Sequence, residues 1–151
     1  MRTNWPVCAL ALLFGAVAGC GDDEPSGPAP EEITGTWNAT KAEYVMSEPP
    51  NTAVDLVALG GSVTLTLGEG GDFEFVVTPP AEASFTTNGT WTLGGETLSL
   101  TPEGMPFSWQ FDVALSGDSL GLSGASVEYD FDDDGTPEQA TLNLLFVRAG
   151  S

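Results

Sequence analysis

The chain has 151 residues, of which 22 are acidic and only three basic, giving a formal net charge of −19 at neutral pH. A surface this negative repels phosphate backbones and anionic lipid, so nucleic acid is excluded as an expected partner. The sequence contains no histidine, which excludes Ser-His-Asp and Cys-His catalysis and histidine-ligated zinc or iron. Four Trp and eight Phe favour a packed core, and the length is that of one domain.

The first twenty residues have the pattern of an exported protein. Arg2 supplies a positive charge, an apolar run covers residues 7–18, and Val-Ala-Gly stands directly before Cys20. The run is shorter than the roughly 20 apolar residues of a membrane span, so it predicts a cleaved signal peptide over residues 1–19. Val-Ala-Gly-Cys resembles the lipobox of bacterial lipoproteins, which implies a diacylglycerol on Cys20. The alternative is an ordinary signal peptide with an incidental cysteine.

A lipid on Cys20 predicts a protein tethered to a membrane of the cell envelope, since each buried CH₂ of an acyl chain contributes roughly 0.8 kcal/mol. An aspartate after the cysteine resembles the usual inner-membrane retention signal. Gly21 stands there instead, so we expect the outer membrane. Processing would remove Cys8 and leave Lys41 and Arg148 against 22 acidic residues, a formal charge of −20. Lipidation of Cys20 would leave no disulfide.

The stretch after Cys20 contains several Pro and Gly and no large apolar residue up to position 32. It predicts a disordered acidic linker over residues 20–32, with structure beginning near Ile33 and one domain over residues 33–151. Apolar and polar residues then alternate with period two, separated by glycine-rich turns. The alternating apolar runs are Val63–Leu67, Phe73–Phe75, Trp91–Leu93, Leu98–Leu100, Phe107–Phe111, Leu120–Leu122, Val127–Phe131 and Leu142–Phe146.

This pattern predicts an all-β fold, because no helical window of useful length appears. About eight or nine antiparallel strands on short turns indicate an up-and-down meander closing into a small barrel, which would remove aggregation-prone sheet edges. A β-sandwich or an open, strongly coiled sheet is the alternative. Residues 47–51, Ser-Glu-Pro-Pro-Asn, predict a longer loop after the first strand, lying over one end of the barrel.

Three residues carry a family resemblance. Gly35-X-Trp37 on the first strand, the meander, and a lone Arg148 on the last strand resemble the lipocalin-like barrels. In that family the tryptophan closes one barrel end and an arginine from near the chain end packs over it. The resemblance implies these structural roles for Gly35, Trp37 and Arg148, and a small apolar ligand inside the barrel. The strands are shorter than in secreted lipocalins, and a snorkelling arginine is the alternative reading of Arg148.

Large rings on the predicted inward faces either fill the barrel or line a pocket for a flat apolar ligand. We assign to this pocket Phe73, Phe75, Trp91, Trp109, Phe111 and Phe131, and expect Phe107 and Phe146 to face inward as well. A filled barrel would instead favour a protein-interaction module that contacts an envelope protein or inhibits a protease. The sequence offers no nucleophile–base pair, so we expect no enzymatic activity.

One segment has the composition of a cation site. Asp130–Glu138 places five carboxylates in nine residues, which repel one another by about 1 kcal/mol per close pair even in water. The spacing starts like an EF-hand loop and looks more like the short calcium loops between strands of integrin-type β-propellers. That resemblance implies a structural Ca²⁺, with Asp133 where glycine is usual. The alternative is a solvated hairpin tip. The implied ligands are the side chains of Asp130, Asp132, Asp134 and Glu138 and the carbonyl of Thr136.

Overall fold

The structure is a computed structural model that describes residues 27–49 and 51–150. The predicted signal peptide, Cys20 and most of the predicted linker lie outside these residues. In chain order the described elements are α1 (Pro30–Ile33), β1 (Gly35–Met46), β2 (Ala53–Asp55), β3 (Ser62–Leu67), β4 (Asp72–Thr78), β5 (Phe85–Gly94), β6 (Thr97–Pro102), β7 (Trp109–Ser116), β8 (Ser119–Tyr129) and β9 (Glu138–Arg148).

The strands form one antiparallel meander that closes on itself. From β3 to β9 each strand pairs with the next along the chain, β1 pairs with β3, and β9 returns to pair with β1. The short β2 pairs with the second half of β1, so eight strands close the barrel. The predicted all-β meander is therefore confirmed, and the β1–β9 ladder excludes the open-sheet alternative.

Period-two alternation places the core inside the barrel. In β3 the apolar Val63, Leu65 and Leu67 are buried, while the polar residues between them are at least partly exposed. Successive side chains of a strand point to opposite faces, so each alternating strand contributes one apolar row to the interior. The described residues contain no buried polar or charged side chain.

Two β-bulges interrupt this alternation on the strands that flank β9. In β1 the register shifts between Ala39 and Lys41, and in β8 it shifts between Leu122 and Ala125. An extra residue reverses which side chains face inward. Beyond the bulges, even-numbered residues of β1 such as Tyr44 and odd-numbered residues of β8 such as Val127 face the interior.

The two ends of the barrel differ in their connections. The closed end carries α1 and the short turns at residues 68–71, 95–96 and 117–118. The open end carries the longer loops at 79–84, 103–108 and 130–137, together with the connection that includes β2. Longer loops on a rigid strand scaffold are where binding residues are usually found, so the open end is the first place to search for a site.

Helix α1 covers the closed end. Residues 30–32 were expected from their composition to belong to a disordered linker, but Pro30–Ile33 form one helical turn. Pro30 suits a first helical turn, and Ile33 is fully buried in the barrel core. Composition did not reveal this turn because its anchor, Ile33, is a single apolar residue. In residues 27–49 and 51–150 no helix combines the length and apolarity that crossing a membrane requires.

Candidate functional site

The closed end is built around Trp37 and Arg148. The Trp37 indole is fully buried, and its Nε1 donates a hydrogen bond of 2.8 Å to the Ile33 carbonyl. The Cζ of Arg148 lies 4.2 Å from the centroid of the Trp37 ring, within cation–π distance. Gly35 has φ +120°, and a Cβ there would come within 3.0 Å of Arg148 Nη1. The three residues singled out in the sequence therefore meet at one place.

Arg148 also binds the backbone of the segment that leads into β1. Its Nη1 donates to the Thr34 carbonyl at 2.8 Å and its Nη2 to the Glu32 carbonyl at 2.6 Å. Its Nε lies 3.6 Å from Asp118 Oδ1 in the β7–β8 turn. The planar guanidinium thus joins the end of β9 to α1 and to a turn of the closed end, with several donors fixed in one plane. This end is a structural plug.

The half of the interior next to the closed end is filled by side chains. Its largest fully buried members come from α1 and from six of the eight barrel strands and leave under 2 % of their surface exposed: Ile33, Trp37, Leu65, Leu67, Leu98, Leu100, Phe111, Leu120, Leu122 and Phe146. An eight-stranded barrel is just wide enough to be filled in this way. Any ligand space inside the barrel must therefore lie toward the open end.

An inner cavity of about 150 Å³ lies at the open end. It is lined mainly by apolar side chains: Tyr44, Phe75, Val77, Phe85, Thr87, Trp109, Val127, Glu128 and Leu142. Phe75 and Trp109 meet edge to face with centroids 6.0 Å apart and form one wall. An apolar cavity of this size in another protein holds one benzene molecule. Tyr44 and Val127 reach the cavity because the bulges turn them inward.

A rim cavity of about 310 Å³ adjoins the inner cavity and shares Tyr44, Val77, Phe85 and Glu128 with it. Tyr44 stacks on Tyr129 at the rim, with ring centroids 4.5 Å apart. Burial, and then the neighbouring Tyr129, raise the pKa of Tyr44 to about 12.

The rim cavity is strongly acidic. Its lining includes the acidic residues Glu82, Asp130 and Asp133. Glu128 also borders it, but its carboxylate accepts a hydrogen bond from Gln139 on the exposed face of β8. The pKa of Tyr129 is raised first by burial and then by the charges of Asp133, Glu82 and Asp130. A negative potential therefore acts at the mouth of the apolar cavity.

The predicted pocket residues separate into three groups. Phe75 and Trp109 line the inner cavity. Phe73 and Phe111 belong to the filled core, and the Trp91 Nε1 donates to the Gly68 carbonyl at the closed end. Phe131 lies on the β8–β9 loop against Tyr129, with ring centroids 4.9 Å apart.

The inward-facing residues of the open end were only partly predicted from the sequence. Phe107 was expected to face inward but is 49 % exposed, because β7 begins only at Trp109. Phe85 and Tyr44 line both cavities, although neither was assigned to the pocket. Their aromatic side chains were the signal in the sequence that could have identified them. The sequence did not show that these side chains face the interior of the barrel.

The acidic loop, Asp130–Glu138, brings its carboxylates together. One oxygen from each of Asp130, Asp132, Asp134 and Glu138 lies within 4.8 Å of the others. Two ligands at about 2.4 Å on opposite sides of a Ca²⁺ are about 4.8 Å apart, so the four oxygens fit around one ion. The cluster has a geometry that could hold a metal ion. The predicted fifth ligand, the Thr136 carbonyl, belongs to the same loop, whose Thr136 N–H donates to Asp134 Oδ1 at 2.7 Å.

Backbone donors hold these carboxylates inside the loop. Asp130 accepts from the N–H groups of Asp134 and Gly135, and Glu138 accepts from Phe131. The backbone N–H of Asp134 lowers the pKa of Asp132, but desolvation and the neighbouring charges of Asp134, Glu138 and Asp130 outweigh it. The net result is a raised pKa for Asp132.

Asp133 occupies the position where the calcium loops of β-propellers usually have glycine. It has φ +57°, a left-handed conformation that side chains other than Asn and Asp rarely adopt. The departure noted in the sequence therefore falls at a position whose backbone would suit glycine.

A larger concavity, of about 780 Å³, lies elsewhere, as an open groove along β4, β5 and β6. Thr66, Glu74 and Asn88 line it, and these residues occupy the outward positions of their strands. The groove lies on the outer surface of the sheet and is open to solvent, so it encloses no space inside the barrel. We therefore take the open end of the barrel, with its inner and rim cavities, as the candidate site.

These features define a small eight-stranded antiparallel β-barrel with one plugged end and one partly open end, consistent with a lipocalin-like barrel. No protein-family model matches the chain. A search of curated proteins likewise gives no match.

Proposed function

We propose that this protein is a lipid-anchored, non-enzymatic lipocalin-like barrel of the bacterial outer membrane, and that it binds a small apolar ligand at its open end. The observation that carries the proposal is the inner cavity, whose aromatic wall of Phe75 and Trp109 opens into the rim cavity. Few polar groups and a concave apolar lining are usual in small-molecule sites. The filled closed half limits the buried part of the ligand to about one ring.

Two observations support a binding role over catalysis. The chain has no histidine, and the described residues hold no buried carboxylate of the kind whose pKa would be tuned for acid–base chemistry. The envelope location rests on the lipobox-like sequence before Cys20 and on Gly21 after it.

Ligand binding can be tested on the processed polypeptide, residues 20–151 with Cys20→Ser so that no acyl chain competes. All strand pairings of the described residues lie between positions 35 and 148, so this polypeptide contains the whole barrel. We expect a retained mass of a few hundred daltons in native mass spectrometry, or enhanced fluorescence of the neutral probe N-phenyl-1-naphthylamine.

A matched pair of variants locates the binding. Val127→Phe fills the inner cavity and should abolish the probe signal, whereas Ser126→Phe adds the same ring on the exposed face of β8 and should preserve it. A bare polypeptide mass together with no probe fluorescence would contradict ligand binding.

A protein-interaction module is the second candidate, supported by exposed apolar residues on the open-end segments. Leu59, Phe85, Met105 and Phe107 each leave about half or more of their surface exposed. Photo-crosslinking from position 107 in intact cells would test it. A single partner band that disappears in Met105→Ser would support the module, and the absence of any band would count against it.

A structural Ca²⁺ in the acidic loop forms part of either candidate. The side chains of Asp130, Asp132, Asp134 and Glu138 would hold it, and the ion would fix the β8–β9 connection beside the rim cavity. The expected affinity is weak, roughly 10⁻⁴–10⁻³ M, as in extracellular calcium modules.

A further inference from the structure

The open-end site combines an apolar interior with a charged entrance. The inner cavity has a single charged residue in its lining, Glu128, whose carboxylate bonds to Gln139 on the exposed face of β8. The adjoining rim cavity is lined by the acidic residues Glu82, Asp130 and Asp133. A ligand that extends from one cavity into the other therefore places one part against apolar rings and the other among carboxylates.

Among the described residues, no basic side chain lines either cavity to offset the carboxylates. Lys41 and Arg148 are the basic residues of the described part of the chain, and neither lines either cavity. Lys41 pairs with Glu43 at 2.9 Å. Arg148 lies at the closed end over Trp37. An anionic amphiphile, such as a fatty-acid carboxylate, would meet only like charge at the entrance.

Aromatic rings stand beside the carboxylates. Tyr44 and Phe85 line both cavities, and Tyr129, stacked on Tyr44, lines the rim cavity. The face of an aromatic ring carries negative charge density and attracts organic ammonium groups. Rings and carboxylates at one entrance therefore favour the same sign of ligand charge.

From this arrangement we infer that the ligand is an amphiphilic organic cation, with an apolar ring or short alkyl group in the inner cavity and an ammonium group in the rim cavity. The inference rests on the proposed function, because it specifies the charge of the ligand at the same site. Charge complementarity selects it: a cation is attracted at the entrance, a neutral ligand gains only apolar contact, and an anion is repelled.

Three probes with one phenyl ring test the inference: benzyltrimethylammonium, benzyl alcohol and phenylacetate. Their dissociation constants are measured by ligand-observed NMR on residues 20–151 with Cys20→Ser, in calcium-free buffer. We expect the cation to bind at least about tenfold more tightly than the alcohol, an excess that falls with added salt. We expect no detectable binding of phenylacetate.

Charge variants distinguish the effect of the rim carboxylates on ligand affinity from the effect of the protein's overall negative charge. Glu82→Gln with Asp133→Asn removes two rim carboxylates and should bring the affinity of the cation to that of the alcohol. Glu69→Gln with Glu74→Gln removes the same charge from exposed positions outside both cavities and should leave the preference intact.

The outcomes distinguish the inference from the proposed function. If benzyl alcohol binds as tightly as the cation, or if the rim variant keeps the preference, the inference is overturned while ligand binding stands. If none of the three probes binds, the proposed function fails as well.

Discussion

Arg148 lies over Trp37, with its Cζ 4.2 Å from the ring centroid and two of its nitrogens bonded to the carbonyls of Thr34 and Glu32. Trp37 is in the first strand and Arg148 is the last residue of the final strand, so the pair joins the two ends of the meander. A planar guanidinium can stack on an indole and donate in its own plane at once. The contact seals the barrel at the point where its ladder closes.

Replacing Arg148 by lysine tests this contact. Arg148→Lys keeps the charge but loses the guanidinium over the indole ring and at least one carbonyl bond, so we expect a loss of about 1–3 kcal/mol in the free energy of unfolding. Lys41→Gln, which breaks an exposed ion pair with Glu43, is the control and should cost at most about 0.5 kcal/mol. Urea denaturation measures both, and equal stabilities would contradict the sealing role.

Gly35 should not tolerate a side chain. Its φ of +120° is rarely adopted by other residues, and a Cβ would press on Arg148 Nη1, so Gly35→Ala is expected to lower stability by about 1–3 kcal/mol. At Gly121 a Cβ would meet only ordinary contacts at 3.6 Å or more. Gly121→Ala should therefore be close to neutral by thermal melting. A Gly35→Ala protein as stable as this control would refute the argument.

Calcium should raise the melting temperature through the acidic loop. Asp132→Asn with Asp134→Asn is expected to abolish any increase on adding millimolar CaCl₂, because it removes two of the four clustered carboxylates. Glu69→Gln with Glu74→Gln removes the same charge outside the loop and should leave the increase unchanged. A calcium effect that persists in the Asp132 and Asp134 variant would place the ion elsewhere.

The metal-free loop should itself respond to charge removal. The pKa of Asp132 is raised in the folded state, so its ionised form is disfavoured there and stability falls as pH rises through that pKa. Asn at position 132 retains an oxygen that can accept the bond from the Asp134 N–H. We therefore expect Asp132→Asn to melt no lower than the parent at neutral pH without calcium. A clearly lower melting temperature would contradict repulsion of the Asp132 charge by its neighbouring carboxylates.

Tyr44 should stay protonated far into the alkaline range. The chain has two tyrosines, so tyrosinate absorbance in the near ultraviolet should show one group with a pKa of about 12, and Tyr44→Phe should remove it. Because unfolded Tyr44 ionises near 10, its contribution of about 2–3 kcal/mol is present below pH 10 and is lost as pH rises through 12. Ionisation of both groups near pH 10 would mean that Tyr44 is not buried.

Lipidation should depend on Cys20 alone. In a bacterial host, Cys20→Ser should remove palmitate labelling and release the protein from the membrane fraction, whereas Cys8→Ser, within the predicted signal peptide, should leave both unchanged. Palmitate labelling that survives in Cys20→Ser would contradict the lipobox interpretation.

The strand pattern was predictable because alternation is local. The rows Val63, Leu65, Leu67 and Leu142, Leu144, Phe146 face inward as the sequence indicates, and the turns at 68–71, 95–96 and 117–118 contain glycines that separate the alternating runs. The acidic loop was also visible, since its spacing lies within nine consecutive residues. The Gly35, Trp37 and Arg148 contact was predicted through the family resemblance.

By itself, then, the sequence determined an acidic all-β chain with alternating strands, a clustered carboxylate loop and no histidine chemistry. Only the tertiary structure decided which rings meet. The bulges after Ala39 and after Leu122 reverse the inward face of β1 and β8 and bring Tyr44 and Val127 into the open end. Alternation has a period of two within one strand, but a bulge is fixed by the partner strand. The pairing between strands therefore decides that side chains fill the closed half of the barrel and leave a cavity in the open half. This pairing cannot be predicted from the sequence of any one strand.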